Sequence, residues 1–169
     1  MASSKARRSF FVVLIVILVL GGGGFIAREI VKNSASLIQA YETSDPTASK
    51  KVYIALDNSV WKLEVVKKLI ANFQGKANFK VENLNTLANL DIAAWDAVIV
   101  VAPYRMAALQ SDASSFASTH RENPKLVMLI TAGNSQVSLT GVDVIGAASD
   151  DTENVVAQTT AHLNKILGF

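Results

Sequence analysis

The sequence predicts an α/β protein, a doubly wound parallel sheet of five strands. Five apolar runs alternate along the chain with segments of helical periodicity. Two of those runs, Ala97–Ala102 and Leu126–Thr131, are continuously apolar, as strands buried on both faces of a parallel sheet must be. A third stretch, "IALDNSVWKLEVVKKLI" at residues 54–70, reads as a buried strand turning directly into an amphipathic helix.

In chain order, a basic n-region (residues 1–9) comes first, holding Lys5, Arg7 and Arg8. From Phe10 to Ala27 there is no charge, and Phe10 to Leu20 is unbroken apolar sequence. As a helix this covers roughly 27 Å, enough for a bilayer core. Residues 10–27 are therefore expected to form a transmembrane helix or signal anchor. In lipid, Gly21–Gly24 are tolerated because the backbone has no better partner there. The excess of basic residues before the segment predicts a single-pass protein with a cytoplasmic N-terminus and the rest extracytoplasmic. Two alternatives stay open. Phe10–Leu20 also suits the h-region of a cleaved signal, giving a secreted protein, and Arg7-Arg8-Ser9-Phe10-Phe11 resembles a twin-arginine export motif. Residues 28–50 read as a juxtamembrane helix followed by a linker, "ETSDPTASKK", in which Asp45-Pro46 and small polar residues break periodicity.

The folded domain is expected over residues 51–169. Its first strand is Val52–Leu56, followed by a helix from about Val60 to Phe73 with Leu63, Val66, Leu69 and Ile70 on its apolar face. Phe79–Glu82 is the second strand and Ala97–Ala102 the third. A helix over about Met106–Arg121 leads to the fourth, Leu126–Thr131. Val142–Ala147 is the fifth strand and Thr152–Leu167 the last helix, with Asp150 and Glu153 spaced as a capping box. Residues 83–94 leave room for barely one helical turn, and residues 132–141 are too short and polar for a full helix. The helices after the second and fourth strands are therefore reduced. The sheet centre is expected to hold Ile54, Val98, Ile99, Val100, Leu126, Met128, Ile130 and Val144.

Composition excludes several functions. The chain has 169 residues with 16 Lys and Arg against 14 Asp and Glu. Residues 51–169 carry ten basic and eleven acidic side chains, too nearly neutral to draw in nucleic acid. With no cysteine there are no disulfides, thiolate metal sites or thiol nucleophiles. His120 and His162 lack a second ligand at metal spacing, and no local Ser–His–Asp pattern offers a nucleophile, so no catalytic or metal residues are assigned.

"KVYIALDNSVWKLEVVKKLIANF", "WDAVIVVAPYRM", "KLVMLITAGN" and "VDVIGAASDDTENVVAQTTAHLNKIL" resemble flavodoxin-type domains in the right order, over residues 51–169. Trp95-Asp96-Ala97-Val98-Ile99 and the following Pro103 are similar to the family's approach to its third strand. The resemblance implies strand order 2-1-3-4-5, with a ligand crevice at the carboxyl ends of the central strands. Its candidate lining is Asn58, Ser59, Trp61, Tyr104, Arg105, Thr131 and Asn134.

Against the family's phosphate loop, approximately Thr-Gly-Asn-Thr-Glu, this chain reads Val60-Trp61-Lys62-Leu63-Glu64. The glycine that lets backbone N–H groups approach a phosphate is tryptophan, and both hydroxyl residues are aliphatic. Another family glycine, after the third strand, falls on Val101. "VDVIGAAS" resembles a covalent flavin-attachment signal only in part. Asp57 and Asp150, if both face the crevice, would repel a phosphate. The expectation is a membrane-anchored flavodoxin-like domain without ordinary FMN binding, serving as a binding or structural module for an unknown protein partner rather than as an enzyme. The alternative is a tethered electron carrier that retains FMN.

Overall fold

The computed structural model describes residues 40–133, 139–147 and 152–169. The apolar segment 10–27, Asn134, Ser149 and Asp150 lie outside them. No helix among the described residues is long and apolar enough to cross a membrane.

The chain forms a mixed α/β domain whose sheet is mostly parallel. Its strands are β1 (Tyr41–Glu42), β2 (Lys50–Leu56), β3 (Ala77–Asn83), β4 (Ala97–Arg105), β5 (Ala108–Leu109), β6 (Leu126–Thr131) and β7 (Val144–Gly146). They order as β1-β3-β2-β4-β6-β7, with β5 paired to the end of β4. The five parallel strands thus lie second, first, third, fourth, fifth, as expected. Among the described residues three helices, α1 (Val60–Asn72), α2 (Ser111–His120) and α3 (Thr152–Leu167), cover the faces.

Alternation along the strands separates two cores. Val52, Ile54, Leu56, Ile99, Val101, Val127 and Leu129 face α1 and α3. Tyr53, Ala55, Val98, Val100, Met128 and Ile130 face α2 and two short 3₁₀ turns, Leu84–Asn89 and Ile92–Ala94. Those turns are the reduced crossover after the second strand, and they bury Leu84, Leu87 and Ile92 in place of a helix. Of the expected sheet centre, only Leu126 is displaced. It begins β6 and is half-buried at the margin. The aromatic-Asp pair before β4 has a structural role. Asp96 accepts the Lys51 N–H at 2.8 Å, and the Trp95 ring tilts against Tyr53 with centroids 5.1 Å apart.

Three further expectations are corrected. Residues 42–51, read as linker, are partly sheet. Tyr41 pairs with Val81 and Glu42 with Lys80 in antiparallel register, so the domain begins ahead of Lys51. Small polar residues achieve this by hydrogen bonding locally. Asp45 Oδ1 accepts the Thr47 N–H at 2.9 Å, and the Asn78 side chain bonds both the N–H and the carbonyl of Asp45. This closes the edge that β3 would otherwise present. The apolar face of α1 is also rotated from the predicted one. Lys62, Val65, Val66 and Leu69 are buried, whereas Leu63 and Ile70 are only half-buried.

The helix expected from Met106 begins instead at Ser111. Met-Ala-Ala-Leu has high helix propensity, but β4 continues through Tyr104 and Arg105. The chain then reverses through Met106 (φ 51°) and Ala107 (φ 62°), so that Tyr104 pairs with Leu109 and Arg105 with Ala108. Two consecutive left-handed residues are what a tight two-residue hairpin requires, normally supplied by Asn or Gly. Ala107→Gly is therefore expected to stabilise the domain by about 0.5–1 kcal/mol, relief of the Cβ clash outweighing the added freedom of the unfolded chain. A urea midpoint that does not rise would count against this turn geometry.

Candidate functional site

The crevice lies where β2 and β4 end. Asp57 extends the β2–β4 ladder by one step, donating its N–H to the Val101 carbonyl at 3.1 Å. The chain then turns through Asn58 and Ser59, both half-buried, into α1. Ser59 is extended (φ −154°, ψ 134°) and its carbonyl accepts the Leu63 N–H, but its side chain makes no capping bond. Across the crevice, β4 carries on to the hairpin. Asp57, Pro103, Arg105, Ala108, Leu109 and Gln110 line a recess of about 260 Å³.

Charge at this recess is arranged around Asp57. Lys62 folds back along α1 and donates from Nζ to Asp57 Oδ2 at 2.6 Å. The lysine is 3% exposed. Arg105 Nη2 stands 4.0 Å from the same carboxylate oxygen, with its side chain largely in solvent. Burial pushes the Lys62 ammonium pKa below the usual lysine range. The Asp57 bond and charge oppose that shift, and the Arg105 charge adds to it. The result is a closed, buried ion pair with one outer cation.

The sequence reading treated Lys62 only as a replacement in a phosphate loop. Its spacing from Val66 and Leu69, at i+4 and i+7, was the available signal. A lysine on the apolar stripe of a helix must be buried, and a buried ammonium needs a carboxylate close by.

Trp61 is directed elsewhere. Its ring packs on the α1/α3 core, and Nε1 donates to Thr152 Oγ1 at 3.1 Å. The far edge of the ring lies over Gly146 of β7, where an added Cβ would stand 3.0 Å from the ring and 3.1 Å from Val155. Tyr104 goes to the opposite face, against the α2 core, because it is one residue out of phase with Arg105. Thr131 is paired with Pro103 and donates weakly to the Ala102 carbonyl at 3.4 Å. The structure thus brings Asn58, Ser59 and Arg105 to one rim around Asp57. It sends Trp61 and Tyr104 to separate cores.

These residues do not fit an FMN phosphate. That group needs backbone N–H donors on a turn that can be approached closely, and free hydroxyls beside it. The glycine position of the loop carries a packed indole whose N–H is already engaged. The nearest buried cation, Lys62, is held by Asp57. Among the described residues, no cluster of three or more His, Cys, Asp or Glu could hold a metal ion.

No protein-family model matches the sequence, and no curated protein matches it. Solved structures similar to it include flavo-di-iron proteins, a flavodoxin and a response regulator. A flavo-di-iron protein from Thermotoga maritima is 13% identical over 70% of this chain and 36% of its own, with a TM-score of 0.47. Flavodoxin 2 from Bacillus cereus is 13% identical over 70% of this chain and 97% of its own, with a TM-score of 0.43. The response regulator RcsB from Salmonella typhimurium is 13% identical over 72% and 65%, with a TM-score of 0.45. The chain spans about a third of the length of the flavo-di-iron proteins it resembles.

Proposed function

We propose that this chain is a binding module on a flavodoxin-like scaffold, tethered to a membrane by residues 10–27, with its carboxyl-end rim given over to contacts rather than to flavin chemistry. One observation carries the reading: the loop position where a flavin phosphate would need bare backbone holds Trp61, whose ring is committed to the α1/α3 core over Gly146. The Asp57–Lys62 pair supports it, because the cation best placed to meet a phosphate is already neutralised. The near-neutral charge of residues 51–169 is consistent with a contact surface, and it lacks the acidity with which flavodoxins attract redox partners.

Titrating the full-length protein with FMN, followed by quenching of flavin fluorescence, tests this. No saturable binding below tens of micromolar is expected. Submicromolar binding would reject the reading in favour of a tethered electron carrier. Tethering is tested separately by alkaline washing of membranes, which should leave the protein in the pellet. Release of a mature chain beginning after Gly24 would mean instead that the segment is a cleaved signal.

A further inference from the structure

We propose that the α2 flank of the sheet holds a binding site for a small carboxylic acid with a compact apolar body, its carboxylate received by Arg121. The site uses neither the Asp57–Lys62 pair nor the tether.

The recess follows from the way the chain returns to the sheet. Residues 139–143 lead into β7 as turn and loop, with no helix. On this flank α2 has only that loop beside it, and the apolar side chains between the two are incompletely covered. Leu109, Ala117, Leu126 and Val142 are each half-buried against the α2 core, and the buried Met128 lies with them. Together they line a recess of about 170 Å³. An apolar cavity of about 150 Å³ accepts benzene, so a body of roughly six carbons suits this one.

Charge in the recess has one sign. Among the described residues that line it, Arg121 alone is ionisable, and Ser118 and Thr140 add hydroxyls. Arg121 is exposed, and no carboxylate pairs with it among the described residues. Its side chain lies along Gly141, where an added Cβ would stand 3.1 Å from Nε and 3.7 Å from Cγ. Gly141 is itself left-handed (φ 77°), so both its backbone and the space beside it call for glycine. A guanidinium held this way offers a planar fork that matches a carboxylate.

The neighbouring acids belong to an adjoining outer recess of about 460 Å³, which Arg121 also lines. Asp143 is engaged there. Its Oδ2 accepts the Met128 N–H at 2.8 Å, and its Oδ1 stands 3.8 Å from His162 Nδ1. Glu122 shares the outer recess with Lys165. The outer recess is therefore mixed in charge, whereas the inner one carries Arg121 without an acid. Apolar walls with one unpaired guanidinium at their boundary select an amphipathic monocarboxylate over a neutral or cationic molecule.

Benzoate is the probe, titrated into isotope-labelled full-length protein and followed by backbone amide shifts. The shifts should saturate and be largest at Ala117, Gly141 and Val142. Benzamide keeps the ring and loses the charge; acetate keeps the charge and loses the ring. Each should bind about tenfold more weakly than benzoate, the factor expected for one charge-assisted hydrogen bond or for a buried apolar body. Arg121→Gln should lower benzoate affinity by about the same factor and erase its advantage over benzamide, with an unchanged urea midpoint. Lys165→Gln, in the outer recess, should leave benzoate affinity almost unaltered. Shifts that fail to saturate, that centre elsewhere, or that persist undiminished in Arg121→Gln would each overturn the site. Acetate binding as tightly as benzoate would reduce it to an adventitious ion only. A loss in Lys165→Gln equal to that in Arg121→Gln would move the carboxylate to the outer recess and overturn the assignment.

Discussion

Asp57→Ala is expected to destabilise the domain by about 3 kcal/mol, because it leaves Lys62 buried without a counter-charge. Breaking a buried pair from one side costs about 3–5 kcal/mol. The lower end applies here because the Asp57 side chain is 26% exposed, so water can approach the vacated position. The reverse change should be milder. Lys62→Met keeps an unbranched chain in the same slot and leaves Asp57 where water and Arg105 can reach it, at a cost expected below about 1.5 kcal/mol.

The pH dependence has a defined sign. The Lys62 pKa is lower in the folded chain than in the unfolded one. Above the folded pKa and up to the ordinary lysine range, the unfolded state therefore binds more protons, and stability from this group rises with pH. The penalty for the buried ammonium is fully present below the folded pKa and is lost as pH rises towards the unfolded value. Removing Asp57 takes away the interactions that hold the pKa up, which widens that window. The deficit of Asp57→Ala relative to wild type should accordingly shrink between pH 7 and 10, measured by urea denaturation. A constant deficit would mean that Lys62 escapes to solvent in the variant.

The second large effect is expected at Trp61. Trp61→Ala should cost about 2–3 kcal/mol. This is less than the 3–5 kcal/mol of a fully buried aromatic, because the ring is half-buried, and it includes the bond to Thr152. Gly146→Ala alone should cost about 1–3 kcal/mol, since its methyl would meet both the ring and Val155 closer than ordinary contact. The two costs should not add. With the indole gone, Gly146→Ala loses its nearest clash and partly fills the space left, so the double variant should be more stable than the sum predicts by 1 kcal/mol or more. Strict additivity in thermal or urea unfolding would mean that Trp61 does not lie on Gly146 in solution. Since that packing is what commits the loop position to an indole in place of glycine, the same result would weaken the functional reading.

Much of the fold is legible because local pattern and burial agree along this chain. The unbroken apolar runs at 97–102 and 126–131 are of the length and composition that suit strands buried on both faces of a parallel sheet, and both stand within it. The short 83–94 segment was read as leaving room for barely one helical turn, and two 3₁₀ turns stand there. The replacement of the loop glycine by Trp61 was visible as a change of residue. Its consequence, a ring placed on Gly146 some 85 positions away, was not.

Where the reading departed from the structure, a distant contact outweighed a local preference. Met106–Leu109 has the composition of a helix, yet the pairing of Tyr104 with Leu109 and of Arg105 with Ala108 holds it as a hairpin. Tyr41 and Glu42 sit in a stretch rich in turn-forming residues, but the open edge of β3 recruits them into the sheet. Lys62 looks like a surface charge until burial forces it onto Asp57. The sequence by itself determined the alternation of strands and helices and the reduced crossover after the second strand, because each follows from residue type and spacing within a few turns of chain. The strand order and the loss of the phosphate-loop residues came from the resemblance to flavodoxin-type domains. Tertiary structure alone decided which side chains meet at the rim. Those meetings depend on packing across strands far apart in sequence, and the cost of burying a charge or an indole unpaired can be settled only there.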